Sequence, residues 1–178
     1  LLYRFHDRII GKCKILNNRK EQYNNNVYLY LLLYKRTMKK RNCMIGQSGG
    51  PTAAINATLA GIIKGAREAN MNHIYGMIHG IKGLIHNNYI DLSTIFIDDK
   101  DLDSLQYTPA MYLGSCRFQL PTYEEDSALY TTIFTTLDTL EITDFYYIGG
   151  NDSMDTVMKL SAYAKHINSD IRFIGVPK

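Results

Sequence analysis

From residue 42 onward the chain alternates short apolar runs with segments whose apolar residues recur every three or four positions. Residues 43–47, CMIGQ, read as a strand, and INATLAGIIKGAREAN after it sets Ile55, Leu59, Ile62 and Ala66 on one helical face. HIYGMIHG, residues 73–80, predicts a second strand ending at Gly80, followed by a short helix or loop in IKGLIHNN. IDDKDLDSL predicts a solvated surface helix, and TPAMYLGSCR a strand running into a polar loop. Leu129, Ile133, Leu137 and Leu140 mark a further helix, threonine-rich and so poor in intrinsic propensity. DFYYI, residues 144–148, is the next strand; Met154, Val157, Met158 and Tyr163 follow at helical spacing, and IRFIGVP closes with a strand. Strands alternating with helices of these lengths predict an α/β fold, a parallel sheet with helices on both faces.

The first 41 residues break this pattern. Residues 1–42 carry eleven Lys or Arg against two acids, Asp7 and Glu21, whereas the remainder carries nine bases against fifteen acids, so the net charge of +3 averages two unlike segments. The leader is rich in Asn, Lys, Tyr and Leu, and its only long apolar run, VYLYLLLY, has eight residues. A bilayer span takes about 20, and Lys35 and Arg36 stand where a secretory cleavage site needs small residues. No membrane association is expected. A basic nucleic-acid arm is the functional alternative for this segment; the preferred expectation is a non-native or disordered leader, with translation starting at Met38 and a domain over 42–178. Mass spectrometry of the N-terminal peptide tests this, and an unbroken peptide spanning Tyr34 to Met44 would refute it. Cys13, Cys43 and Cys116 show neither paired nor metal-ligand spacing, which favours a reducing, cytoplasmic setting without disulfides.

Candidate chemistry gathers in three polar glycine turns, SGGPT, GSCR and GGNDS, each placed after a predicted strand. Parallel sheets bind ligands at the carboxyl ends of their strands, so one site can be built from all three. Gly49 and Gly50 precede a helix and let backbone N–H groups approach an anion, although a plain strand-to-helix turn explains them equally well. The turn matches neither Walker A nor G-x-G-x-x-G. In the loop Gly149, Gly150, Asn151, Asp152 and Ser153, helix-entry geometry joins oxygen donors suited to a cation; Asp152 or Ser153 as a simple N-cap is the alternative. Asp152 beside bound phosphates calls for Mg²⁺ or a lysine between them. Arg117, in a loop with Ser115, suits two-point clamping of phosphate, with an ordinary surface arginine as the alternative. Lys178 follows Val-Pro at a strand end and can balance charge in the same site. His73, His79 and His86 fit no metal motif and read as ordinary histidines.

GQSGGPTAAINATL, TPAMYLGSCRFQLP, YIGGNDSMDTVMKL and IGVPK stand in the order and approximate spacing of the 6-phosphofructokinases, and over residues 42–178 the sequence resembles that family, most closely its pyrophosphate-using branch. The resemblance implies a Rossmann-like N-terminal domain and Mg²⁺-assisted phosphoryl transfer to the 1-hydroxyl of fructose 6-phosphate, giving fructose 1,6-bisphosphate. It implies donor-phosphate contacts from Gly49, Arg117 with Phe118 beside it, Gly150, Asn151, Asp152 and Ser153. ATP users carry glycine where Asp152 stands, so pyrophosphate is the expected donor. Lys178 matches a lysine that stabilises transition-state charge. Asn151 stands where most members place a metal-binding aspartate, making it a neutral candidate ligand. In the family a Thr-Ile-Asp-Asn-Asp motif, whose first aspartate is the base, comes after the lysine; the expectation is an N-terminal piece without turnover, from a homo-oligomeric full-length enzyme. An ATP-dependent phosphofructokinase and a non-catalytic phosphate- or nucleotide-binding module are the alternatives.

Overall fold

The computed structural model describes residues 41–178; the leader and the start at Met38 lie outside the described residues. Along the chain run β1 (Asn42–Gln47), α1 (Ile55–Glu68), β2 (His73–Met77), α2 (Ile81–Ile85), β3 (Tyr89–Asp91), α3 (Leu92–Ile95) and α4 (Asp99–Tyr107), then α5 (Ser127–Thr139), β4 (Ile142–Gly149), α6 (Asn151–His166) and β5 (Arg172–Pro177). The five strands form one sheet in the order β3-β2-β1-β4-β5, parallel except for antiparallel β3.

Two cores cover the two faces of this sheet. β1 sends Met44 to one side with Phe145 and Tyr147 of β4, where residues of α2, α5 and α6 pack. Cys43 and Ile45 go to the other side with Ile74 and Ile148, beneath α1, α3 and α4. That is the period-two alternation of a strand, with every β1 residue buried because both faces are covered. In such a core the Cys43 thiol is pushed up to about 12 by burial, with Asp144 adding to the effect.

Several sequence expectations change in detail. On α1 the buried apolar positions are Ile55, Leu59, Ala60, Ile63 and Ala66, so Ile63 replaces Ile62 in the apolar face. Met158 is 64% exposed, and α6 instead buries Thr156, Val157, Leu160 and Ala164. The acidic helix α4 is solvated on one side but buries Leu102 and Leu105 in the core with α1. The threonines of α5 fit a helix because Thr131, Thr132, Thr135 and Thr139 each donate a hydroxyl to the carbonyl four residues earlier. Asp126 caps its start, accepting from the Leu129 N–H at 3.0 Å.

The strand expected in TPAMYLGSCR does not form. Pro109 has no N–H to donate, and Ala110 and Gly114 take φ values of +70° and +71°, which no strand continues. Backbone groups of this segment are satisfied by buried amide side chains instead. Leu113 N donates to Gln47 Oε1 at 2.9 Å and Tyr112 N to Asn56 Oδ1 at 2.9 Å, while Asn56 Nδ2 donates to the Thr108 carbonyl at 2.9 Å. Gln47 Nε2 joins the two amides by donating to Asn56 Oδ1 at 3.1 Å.

Candidate functional site

β1 and β4 are adjacent and parallel, so their carboxyl ends lie side by side, and the turns leaving them, 48–50 and 149–153, meet. The 114–119 segment joins them from β2's side, since His79 N donates to the Leu113 carbonyl at 2.7 Å. Together these three loops line a cavity of about 930 Å³. Gly49, Arg117, Phe118, Gly150, Asn151, Asp152 and Ser153, all expected from the sequence, lie on its wall, with Ser48, Ser115, Cys116 and Thr156.

Local backbone chemistry holds this arrangement. Gly49 takes φ +83°, a conformation that side chains rarely adopt. Ser115 Oγ donates to the Gly49 carbonyl at 2.7 Å, tying the second loop to the first. Lys178 Nζ donates to the Gly50 carbonyl, and Lys178 N donates to the Gly149 carbonyl at 3.2 Å, which sets the lysine at the mouth of both glycine turns. A Cβ on Gly49 would sit 2.9 Å from that ammonium, so a side chain there would push the end of Lys178 aside.

The start of α6 resolves one of the open alternatives. Gly150 is the N-cap, without a side-chain cap, and Asp152 stands inside the first turn. Neither Asp152 nor Ser153 is therefore the N-cap; Ser153 is buried, its N–H donating to the Gly150 carbonyl at 3.1 Å. That leaves the first helix-start N–H groups, of Asn151 and Asp152 on the cavity wall, without a capping side chain, a setting that favours an anion. Arg117, Asn151, Asp152 and Lys178 are exposed and reach solvent-accessible ligands. Two cations, Arg117 and Lys178, against the single carboxylate of Asp152 leave the three loops positive before any ligand arrives.

Sequence reasoning missed three residues that build the site from behind. Gln47 and Asn56, both fully buried, carry the amide network that fixes the approach to Ser115 and Arg117. A glutamine ending an apolar strand and an asparagine at a helix start were the available signals. Tyr147 is the third: its hydroxyl accepts from Ile81 N at 3.1 Å, below the 114–116 loop, and burial pushes its phenol up to about 12.

The phosphofructokinase family model matches residues 42–178. The chain belongs to the phosphofructokinase family. It is 38% identical over 141 residues to the pyrophosphate–fructose 6-phosphate 1-phosphotransferase of Xanthomonas campestris pv. campestris, covering 79% of this chain and 33% of that protein. The enzyme of the same name from Rhodospirillum rubrum is 35% identical over 142 residues, with the same coverage. Among solved structures, the pyrophosphate-dependent phosphofructokinase of Nitrosospira multiformis superposes with a TM-score of 0.69 at 35% identity, over 77% of this chain and 33% of that one. The chain thus spans about a third of the length of the relatives it matches.

Proposed function

We propose that this chain supplies the phosphoryl-donor half of a pyrophosphate-dependent phosphofructokinase, which moves one phosphoryl group from pyrophosphate to the 1-hydroxyl of fructose 6-phosphate. The products are fructose 1,6-bisphosphate and phosphate. Asp152 is the observation that carries the choice of donor. Its carboxylate lies on the cavity wall in the first turn of α6, where it occupies space and repels a longer phosphate chain running past it, while Arg117 and Lys178 remain to hold a short one. The names of the relatives from Xanthomonas and Rhodospirillum support the same reading.

In this reading the helix-start N–H groups at Asn151 and Asp152 and the Gly49–Gly50 turn hold the donor oxygens. Arg117 clamps the phosphate in a planar, two-point fashion with Phe118 beside it, and Lys178 stands where negative charge develops as the P–O–P bond breaks. Among the described residues no three His, Cys, Asp or Glu side chains cluster around a metal position. Mg²⁺ needs no such cage, because it keeps several waters and takes its other oxygens from phosphates and one or two protein groups. The Asp152 carboxylate and the Asn151 amide oxygen fit that role, with Asn151 as the weaker, neutral donor. When bound, the ion neutralises donor charge. Lys178 and Arg117 do so without it.

No helix among the described residues is long and apolar enough to cross a membrane. We place the enzyme in the cytoplasm, acting in glycolysis as a homo-oligomer on small phosphates and without a nucleic-acid partner.

The test is a paired assay of the full-length protein with fructose 6-phosphate and Mg²⁺, offering pyrophosphate or ATP. Turnover with pyrophosphate and little with ATP is expected, and Asp152→Gly should raise ATP use at the expense of pyrophosphate. Equal use of both donors, unchanged by the substitution, would remove Asp152 as the determinant of the donor.

A further inference from the structure

A second cavity, of about 420 Å³, opens on the other side of residues 115–117. Ser115, Cys116 and Arg117 line both cavities, so the two are neighbours along this segment. His79, Lys82, His86 and Arg117 contribute nitrogen groups to its wall, Asn88 adds an amide, and no carboxylate lines it. Asp152 lines only the donor cavity. Arg117 and Lys82 have no ion-pair partner among the described residues.

The pocket is held in shape by contacts that do not consume its cationic groups. Lys82 Nζ sits 5.8 Å from the centroid of the Phe118 ring, which itself lines the donor cavity. His86 Nδ1 donates to the Lys82 carbonyl at 2.8 Å, which orients the ring and spends the one N–H of a neutral imidazole. His79 takes φ +62° and its ring lies against Gly114, where a Cβ would come within 2.5 Å of Nδ1. Permanent charge on two residues, the ring N–H of His79 and a wall shared with the proposed donor cavity are the chemistry of a further phosphate subsite.

We propose that this pocket binds the third phosphoryl group of a linear inorganic condensed phosphate whose first two occupy the donor cavity. The assignment rests on the donor cavity binding pyrophosphate, as argued above. Tripolyphosphate gains the contacts of Lys82 and His79 that pyrophosphate is too short to reach, and it turns away from Asp152 at Arg117. Pyrophosphate uses the donor cavity alone.

Isothermal titration calorimetry of the full-length protein with Mg²⁺ separates the cases, using pyrophosphate, tripolyphosphate and ATP. Tripolyphosphate should bind about 10-fold tighter than pyrophosphate, the worth of one charge-assisted hydrogen bond. Lys82→Ala should erase that gap while pyrophosphate affinity stays within about 2-fold, and Lys64→Ala, an exposed lysine on α1 lining neither cavity, should leave the gap intact. Equal affinity for both phosphates in the unaltered protein, a gap that survives Lys82→Ala, or an equal loss with Lys64→Ala would each overturn the subsite. ATP binding as tightly as tripolyphosphate would overturn the inorganic chain as its occupant. Pyrophosphate binding without a gap refutes the subsite alone; absence of both pyrophosphate binding and turnover refutes the proposed function with it.

Discussion

Replacing Gln47 by Met keeps the volume of the side chain and removes its hydrogen bonds, which isolates what the buried amide network contributes. Gln47 is fully buried and makes three such bonds, from Nε2 to the Ile55 carbonyl and to Asn56 Oδ1, both at 3.1 Å, and to Oε1 from Leu113 N at 2.9 Å. The three losses are unequal. Ile55 is a first-turn carbonyl and keeps its helical partner, and Asn56 Oδ1 keeps the Tyr112 N–H. The Leu113 N–H keeps nothing, because Leu113 is 1% exposed and no other acceptor is paired with it. An orphaned buried donor costs about 1–3 kcal/mol, so Gln47→Met should destabilise by about 2–3 kcal/mol once the weaker losses are added. Asn56→Ala should couple to it, since the two amides share a bond, with an interaction energy of at least about 0.5 kcal/mol in a double-mutant cycle. Urea denaturation of the full-length protein and its two single and one double variants gives these quantities. A Gln47→Met effect under about 0.5 kcal/mol, the range of ordinary surface changes, or strict additivity with Asn56→Ala, would refute the claim that this network holds the 108–113 segment.

Arg117→Ala should raise the KM for pyrophosphate about 10- to 100-fold, the worth of one or two charge-assisted bonds, with KM for fructose 6-phosphate as the internal control; Arg117→Lys should recover only part, because the planar fork is lost. Equal effects on both substrates would remove Arg117 from the donor site. Gly49→Ala forces a side chain onto φ +83° and against Lys178 Nζ, so activity should fall along with a stability loss of about 1–2 kcal/mol; unchanged kinetics would show that Lys178 is not held by this turn. Tyr147, raised by burial from 10.0 to about 12, stays protonated after the unfolded chain's tyrosine ionises. Its contribution is complete below pH 10.0, the unfolded value, and is lost as pH rises through about 12. Tyr147→Phe should therefore flatten the alkaline decline in that window, although Cys43 and Tyr130, also pushed up to about 12, keep part of it. Identical alkaline slopes would contradict the assignment. Gly83→Ala should be among the most destabilising single-methyl changes, since its Cβ would press on the Ile78 carbonyl and lie 2.8 Å from the Asn88 carbonyl, backbone atoms that cannot swing away.

Hydrophobic period alone determined the alternation of strands and helices, hence a parallel sheet with two covered faces, because burial on both sides demands apolar strands and one-faced helices. It also placed two of the three glycine turns, those at 48–50 and 149–153, at strand ends; the turn with Arg117 follows a loop, and the family resemblance rather than period suggested these residues as donor contacts. Antiparallel β3 was not legible, since YID is three residues long and its pairing with β2 is decided by the chain's return from α2. The same holds for Thr108 to Gly114, an apolar-looking run whose backbone partners, Gln47 and Asn56, lie some fifty or more residues earlier and fix a loop where local pattern reads a strand. Which of Ile62 and Ile63 faces inward depended on the rotation of α1 over β1, a matter of packing rather than period. Tertiary structure alone brought Lys178 to Gly50, set Arg117 on the wall of two cavities and placed Lys82 and His86 beside the 115–117 segment. Those neighbours are far apart in sequence, and local propensity carries no information about contacts that only the closed sheet creates.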